Sequence, residues 1–428
     1  MRNYSKILFF ILMTLLFIPM IQQFTHFANV KEINGSIKNI ELPKLNSNTW
    51  LDESFQQQFE KFESQKFGFA NSFIRLQNQL QFSLFKIARA NGVVVGKENY
   101  LYEKSYISSY YGDDFLGEDK LDEQFEKLNL LKDTLQHYGI KILVVYAPGK
   151  GSFYSEYIPE DLKSTKKITN LEYSLKLADS YNIDHIDMSS WFLKMKDTST
   201  YCLYPKTGIH YSYYGARLTI DTILNYCKQN YNYKFPEVKW SSIELKSKLK
   251  NTDKDIERGM NLIFDLDNFE MPYQNIKIGK QIDNNPRAIV IADSYYWQLH
   301  NMGISSSVFR DGQFWFYNKQ VSSNKNDKKW VKDLNLKEEL LDQNLILLLC
   351  TEPVLKRQYW DFINQAYDVF FNPVHIYTTE DLTSTIEKIR ENKNWMKAIE
   401  EKASERNISV DSMLKLDALY LLDQQKEK

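Results

Sequence analysis

The sequence predicts an α/β protein, a largely parallel sheet with flanking helices, preceded by an N-terminal membrane-anchor helix. Three observations carry this. The apolar runs "IKILVVYA" (140–147), "RAIVIA" (287–292) and "LILLLC" (345–350) have strand length, as expected of strands buried on both faces. Between them lie segments with apolar residues at three- and four-residue spacing, the pattern of crossover helices. At the amino end, Arg2 and Lys6 precede "ILFFILMTLLFIPMI" at 7–21, a basic flank and apolar core typical of a secretion signal or single anchor.

The elements follow in order. The apolar stretch is short for a full span, and "QQFTHF" extends it into the interface. No small-x-small cleavage site follows, so 1–27 is expected to stay as a signal anchor. Its amino end would be cytoplasmic and the main domain extracytoplasmic, beyond the inner membrane. Residues 28–90 read as a tether and an amphipathic helix. Phe69, Phe73, Leu76, Leu80 and Leu84, with Ile87 beyond, predict one buried face. "NGVVVGKENYLYE" (91–103) reads as a hairpin. Leu121, Phe125, Leu128, Leu131 and Leu135 predict a helix that Gly139 ends. A helix at 170–181, a strand at 182–188 and a helix from Ser212 to Cys227 continue the alternation. The α/β domain is expected over 91–379, with a Lys-, Asp- and Asn-rich insertion at about 231–286, and terminal helices over 380–428.

Composition narrows the function. The 428 residues carry a net charge of −1, which offers no field to attract nucleic acid. An aromatic content of 14% suits a generous core ahead of a carbohydrate-facing surface. Three cysteines exclude a dense disulfide framework; Cys202 and Cys227 pair only if the fold joins them, and Cys350 reads as buried. Neither a CxxC nor an HExxH spacing occurs, so neither metal nor cofactor is expected.

Candidate chemistry gathers where strands end. In "RAIVIADSYYWQ" (287–298), Ser294 follows a buried strand and a helix can start at Tyr295. Ligands bind at such edges, and the first helical N–H groups would face a developing oxyanion. Alternatively Ser294 is an ordinary N-cap. His210, one of six histidines, lies in "TGIHYSYYGA" (207–216) ahead of a helix capped by Ser212. A serine nucleophile needs such a base within hydrogen-bond reach. Lys150, in "YAPGKGSFYSEYIP" (146–159), is either a surface charge or site-lining. "QFWFYN" (313–318), with Tyr317, is either a core strand or a wall for a sugar ring.

Together "VVVGKENYLYE", "VYAPGKGSFYSEYIP", "YPKTGIHYSYYGA" and "IVIADSYY" resemble the SGNH-hydrolase-like proteins of extracytoplasmic polysaccharide O-acetylation, the alginate O-acetyltransferase J and X group. The resemblance runs from about Glu63 to the carboxyl end, and the order, His210 before Ser294, is that of this group. It implies an SGNH-like sheet and an O-acetyltransferase with Ser294 as acyl-accepting nucleophile and His210 as its base. It also implies a polysaccharide acceptor and a membrane-bound O-acyltransferase as acyl donor. The family's aspartate two residues before the histidine is Gly208 here, and Ala292 replaces the usual glycine before Asp293-Ser294. Asp293 and Asp187 are the carboxylates near enough in sequence to be weighed as the missing acid. The alternatives are a catalytically impaired glycan-binding component of the same machinery, or a carbohydrate acetyl esterase.

Overall fold

The computed structural model describes residues 2–428 apart from 36–39, 284, 323–328, 372–378, 406–408, 412, 415–416, 419–420 and 423–428. It divides into two compact units, 1–363 and 364–428.

The first unit opens with α1 (Arg2–Thr25), of which Tyr4–Thr25 is long and apolar enough to cross a membrane. Short α2 (Ser47–Leu51), α3 (Ser54–Lys66) and α4 (Ala70–Phe85) follow. Helix α4 reverses the sequence expectation: Phe73, Leu76, Leu80, Leu84 and the following Ile87 are exposed, and Ala70, Arg75, Asn78 and Phe82 are buried. The reason is backbone satisfaction, since buried carbonyls need donors. Arg75 donates to the carbonyls of Glu32 (2.5 Å) and Leu262 (3.1 Å), and Asn78 to that of Met260 (2.8 Å). Periodicity locates an apolar stripe but not what covers it.

The predicted hairpin forms from β1 (Val93–Val95) and β2 (Leu101–Glu103), antiparallel. Then come α5 (Lys104–Tyr111), α6 (Glu118–His137), β3 (Lys141–Ala147), α7 (Lys150–Phe153), α8 (Asn170–Ser180), β4 (His185–Asp187), α9 (Met188–Met195) and α10 (Tyr213–Tyr231). The expected cap holds: the Ser212 hydroxyl accepts from Gly215 N at 3.0 Å. Among its described residues the insertion holds two small antiparallel pairs and one short α-helix. These are β5 (Val238–Trp240) with β8 (Ile276–Ile278), β6 (Glu244–Lys246) with β7 (Met271–Tyr273), and α11 (Asp255–Met260). The chain continues through β9 (Arg287–Ala292), α12 (Tyr296–Asn301), β10 (Arg310–Phe316), β11 (Gln320–Ser322), β12 (Lys329–Trp330), α13 (Leu336–Leu341) and β13 (Leu345–Thr351).

Among the described residues the main sheet has seven strands in the order β12-β11-β10-β9-β13-β3-β4. Pairing is parallel from β10 to β4, and β11 and β12 add an antiparallel edge. Strands β9, β13 and β3 form its centre, and both faces are covered, which is why they read as unbroken apolar runs. Every residue of β13 is buried. Cys202, Cys227 and Cys350 are free thiols. Helix α14 (Phe362–Phe371) leads into the second unit. That unit holds α15 (Thr379–Glu391) and α16 (Lys393–Glu405) around its own small core of Ile389, Ile399 and Leu414. The final residues of the predicted terminal helices, 423–428, lie outside the described residues.

Leu347, fully buried at the middle of β13, tests the weight of this sheet. Leu347→Ala should destabilise the protein by about 2–5 kcal/mol, read as a lower midpoint of chemical denaturation.

Candidate active site

Strand β9 ends at Ala292 and the chain turns through Asp293, Ser294 and Tyr295. The buried Asp293 carboxylate fixes this turn. Its Oδ1 accepts from Tyr295 N (2.9 Å), and its Oδ2 accepts from the amide (2.8 Å) and hydroxyl (2.7 Å) of Thr351 at the end of β13. Burial pushes its carboxyl above the ordinary range, against the pull of those bonds. Asp293 is thus a brace, and its position in the cavity wall is secondary.

Ser294 is not an N-cap. Tyr295 occupies the cap of α12 without a side-chain cap bond, and the Ser294 hydroxyl instead meets His210 Nε2 at 2.9 Å. The expected oxyanion donors at the helix start are also redirected. Tyr295 N is taken by Asp293, Tyr296 N bonds Asp293 O (3.3 Å) and Trp297 N bonds Ser294 O (3.2 Å). The turn after the strand needs those amides to close on itself.

His210 sits on the loop before α10, and two devices hold it. The first is a reciprocal tyrosine clasp. Tyr295, next to Ser294, donates to Ile209 O (2.5 Å), while Tyr211, next to His210, donates to Tyr295 O (3.0 Å). The second is Lys150, fully buried, whose Nζ donates to the carbonyls of Lys206 (2.8 Å) and Gly208 (2.6 Å). Burial pulls its ammonium down to about 7. Lys150 therefore does not line the cavity, as the sequence allowed; it stands behind the histidine loop, where backbone carbonyls demand a donor.

The far side of His210 is held by Asp255, the first residue of α11. Its Oδ2 lies 2.5 Å from His210 Nδ1, and its Oδ1 accepts from Ile209 N and Ile256 N at 2.8 Å each. Neither carboxylate weighed from sequence plays this part: Asp293 braces β13, and Asp187 caps α9 through Ser190 N (2.9 Å). Asp255 comes from the insertion, 45 residues past the histidine, and only its place at a helix start marked it among the 55 acidic residues.

Gly208 explains the change. A Cβ on Gly208 would lie 2.4 Å from Thr252 O and 2.8 Å from Asp253 O. The turn that presents Asp255 therefore packs where a side chain at 208 would stand. The two ways of supplying the acid exclude each other sterically.

These groups open onto a cavity of about 780 Å³, walled also by Glu103, Tyr317, Lys319, Arg357 and Trp360. That is ample for a small organic ligand or sugar unit. Of the aromatic run, Phe314 and Trp315 are buried in β10, whereas Tyr317 faces the cavity, its ring 5.0 Å from that of Trp360. Burial raises the Tyr317 hydroxyl, opposed by hydrogen bonding with Ser294. Burial alone would pull the His210 imidazole down. The charge and hydrogen bond of Asp255 outweigh it, and the imidazole is raised above its ordinary value.

A serine at the carboxyl end of a parallel strand is thus reached by a histidine and an aspartate from other loops, the arrangement that serine acyl transfer requires. Residues 93–247 match the family model described as "SGNH hydrolase-like domain, acetyltransferase AlgX". Over this segment the chain is similar to the group that its motifs resemble. His210 lies inside the matched segment; Asp255 and Ser294 lie beyond it. No curated protein gives a significant match. Solved structures with distant likeness include the O-acetyltransferase domain of AlgJ from Pseudomonas putida (14% identity, 65% of this chain and 99% of that chain, TM-score 0.41). Another is AlgX from Pseudomonas aeruginosa (15%, 64% and 67%, 0.42). PatB1 from Bacillus cereus is a third (12%, 61% and 96%, 0.39).

Two predictions follow from this geometry. Gly208→Asp, which places an acid two residues before the histidine, should lower rather than raise turnover of a surrogate acetyl ester, and lower the melting temperature, because it displaces the 252–253 turn. Asp255→Asn should lower kcat on the order of 10⁴-fold. It should also move the acidic limb of the pH–rate profile to lower pH. The imidazole must be neutral to accept a proton, and the Asp255 charge is what raises it.

Proposed function

We propose that the protein is an extracytoplasmic O-acetyltransferase that moves acetyl groups through Ser294 onto hydroxyls of a cell-surface or secreted polysaccharide. The observation that carries this is the His210 imidazole bonded on one side to Ser294 and on the other to Asp255, at the mouth of a sugar-sized cavity. His210 Nε2 takes the Ser294 proton as Oγ attacks the acetyl carbonyl. Collapse of the tetrahedral intermediate expels the donor's oxygen, which leaves with the proton from His210. In the second half a glycan hydroxyl gives its proton to His210 and attacks the acyl carbon. Ser294 Oγ departs and recovers its proton, so the enzyme is regenerated. Asp255 holds the imidazole with Nδ1–H toward the carboxylate and stabilises the imidazolium formed in each half.

The family match supports the acetyl chemistry and the polysaccharide acceptor. A membrane-bound O-acyltransferase as donor is our reading of the resemblance, as is an inner-membrane location with α1 spanning once. The apolar length of α1 supports the latter. Asp255 removes the motive for a catalytically impaired component, which rested on Gly208.

Ser294→Ala should abolish labelling by a serine-reactive sulfonyl probe and reduce acetate on the glycan of producing cells to the level of a deletion strain. Undiminished glycan acetylation in that variant would defeat the proposal. Acetate released to water as fast with glycan as without it would instead assign the same residues to an esterase.

A further inference from the structure

The outward face of α4 has no role in the site, yet it carries a continuous row of exposed large apolar residues. Phe73, Leu76, Leu80 and Leu84 are 48%, 46%, 49% and 68% exposed, and Phe85 and Ile87 continue the stripe. Arg75, the one charged residue of α4, is turned inward onto backbone carbonyls. Within α4 the exposed face thus has no charge, and Lys86 follows only at its carboxyl end; between the apolar residues stand Gln77, Gln81 and Ser83. Scattered apolar side chains on a surface need no explanation, but a contiguous stripe of large ones does.

The position of α4 indicates what covers it. Its start abuts the end of α1. A Cβ on Gly68 would lie 1.9 Å from Pro19 O and 2.7 Å from Gln23 N, and the Phe27 and Phe69 rings meet at 5.9 Å. Pro19 and Gln23 belong to the carboxyl end of the apolar span Tyr4–Thr25. Helix α4 therefore begins at the level where α1 leaves the hydrocarbon. Nearby, Trp50 and Leu51 of α2 are also exposed, and tryptophan is favoured at that level of a bilayer.

We propose that α4 is a second membrane contact, lying in the interfacial layer of the bilayer that α1 enters, with Phe73, Leu76, Leu80 and Leu84 turned to the acyl chains. This rests on the reading that α1 spans the membrane. Lipid fits better than a soluble partner because the face is uncharged and continuous with the anchor; interfacial helices bury such a face at the headgroup–acyl boundary. The opposite face of α4 holds the chain around α11. Asn78 bonds Met260 O, and Gln79 Oε1 accepts from Ile263 N and Phe264 N at 3.1 Å each. The helix that carries Asp255 is thereby tied to the membrane-lying element.

The test uses the full chain in nanodiscs that contain a phospholipid with a photoactivatable diazirine near the headgroup end of its acyl chain. Tryptic peptides are then read by mass spectrometry. The peptide 76–86, from Leu76 to Lys86, should carry on the order of tenfold more lipid adduct than the peptide 128–132, which contains the exposed Leu130 of α6. The triple variant Leu76→Gln, Leu80→Gln, Leu84→Gln should lose that adduct and keep the adduct on α1. Label on α1 with none on 76–86 overturns the inference and leaves the anchor reading intact. No label on α1 overturns the anchor reading itself. Solvent-accessible 76–86 in lipid alone, shielded only when a membrane acyltransferase is co-assembled, assigns the face to a protein partner and overturns the lipid proposal.

Discussion

The hydrogen-bonded line from Asp255 through His210 to Ser294 is the constraint on which the rest of the molecule depends. Three loops, separated by tens of residues, must bring their side chains within bonding distance on one edge of the sheet. A buried imidazole between a carboxylate and a hydroxyl is stable only if each partner is held where it is needed, because unpaired polar groups are costly away from water. Much of the surrounding structure supplies that restraint. Asp293 ties the serine turn to β13, Lys150 ties the histidine loop from behind, and the Tyr295–Ile209 and Tyr211–Tyr295 bonds lock the two loops to each other.

The insertion between α10 and β9 changes meaning in this light. Its polar composition reads as a peripheral decoration of an α/β rhythm. It instead supplies the carboxylate beside His210, and Tyr273 of β7 bonds Asp253 and Lys250 N in the turn that leads into α11. Glycine at 208 is the geometric condition for that contact, since the backbone at 252–253 fills the space beside it. A side chain at 208 and the turn that presents Asp255, 45 residues after the histidine, would compete for the same space.

Helix α4 shows the same lesson on another scale. Its buried side carries Arg75 and Asn78, with the half-buried Gln79 beside them, and these satisfy the backbone of the tether and of the chain at and after α11. Satisfying buried carbonyls took precedence over burying leucines, and the apolar stripe was left outward.

The sequence alone determined the sheet strands β3, β4, β9 and β13, the hairpin and the cap at Ser212, and it offered a strand-end serine and an upstream histidine as candidates. Those features are local. Unbroken apolar runs, turn residues and a family order of motifs are all written within short windows. Tertiary structure decided which carboxylate meets His210, that the amides after Ser294 are bonded within their own turn, that Lys150 lies behind the loop and Tyr317 before it, and which face of α4 is covered. These are contacts between segments far apart in the chain, and no periodicity or spacing encodes them. A carboxylate 45 residues away becomes a partner only when folding closes the intervening loop.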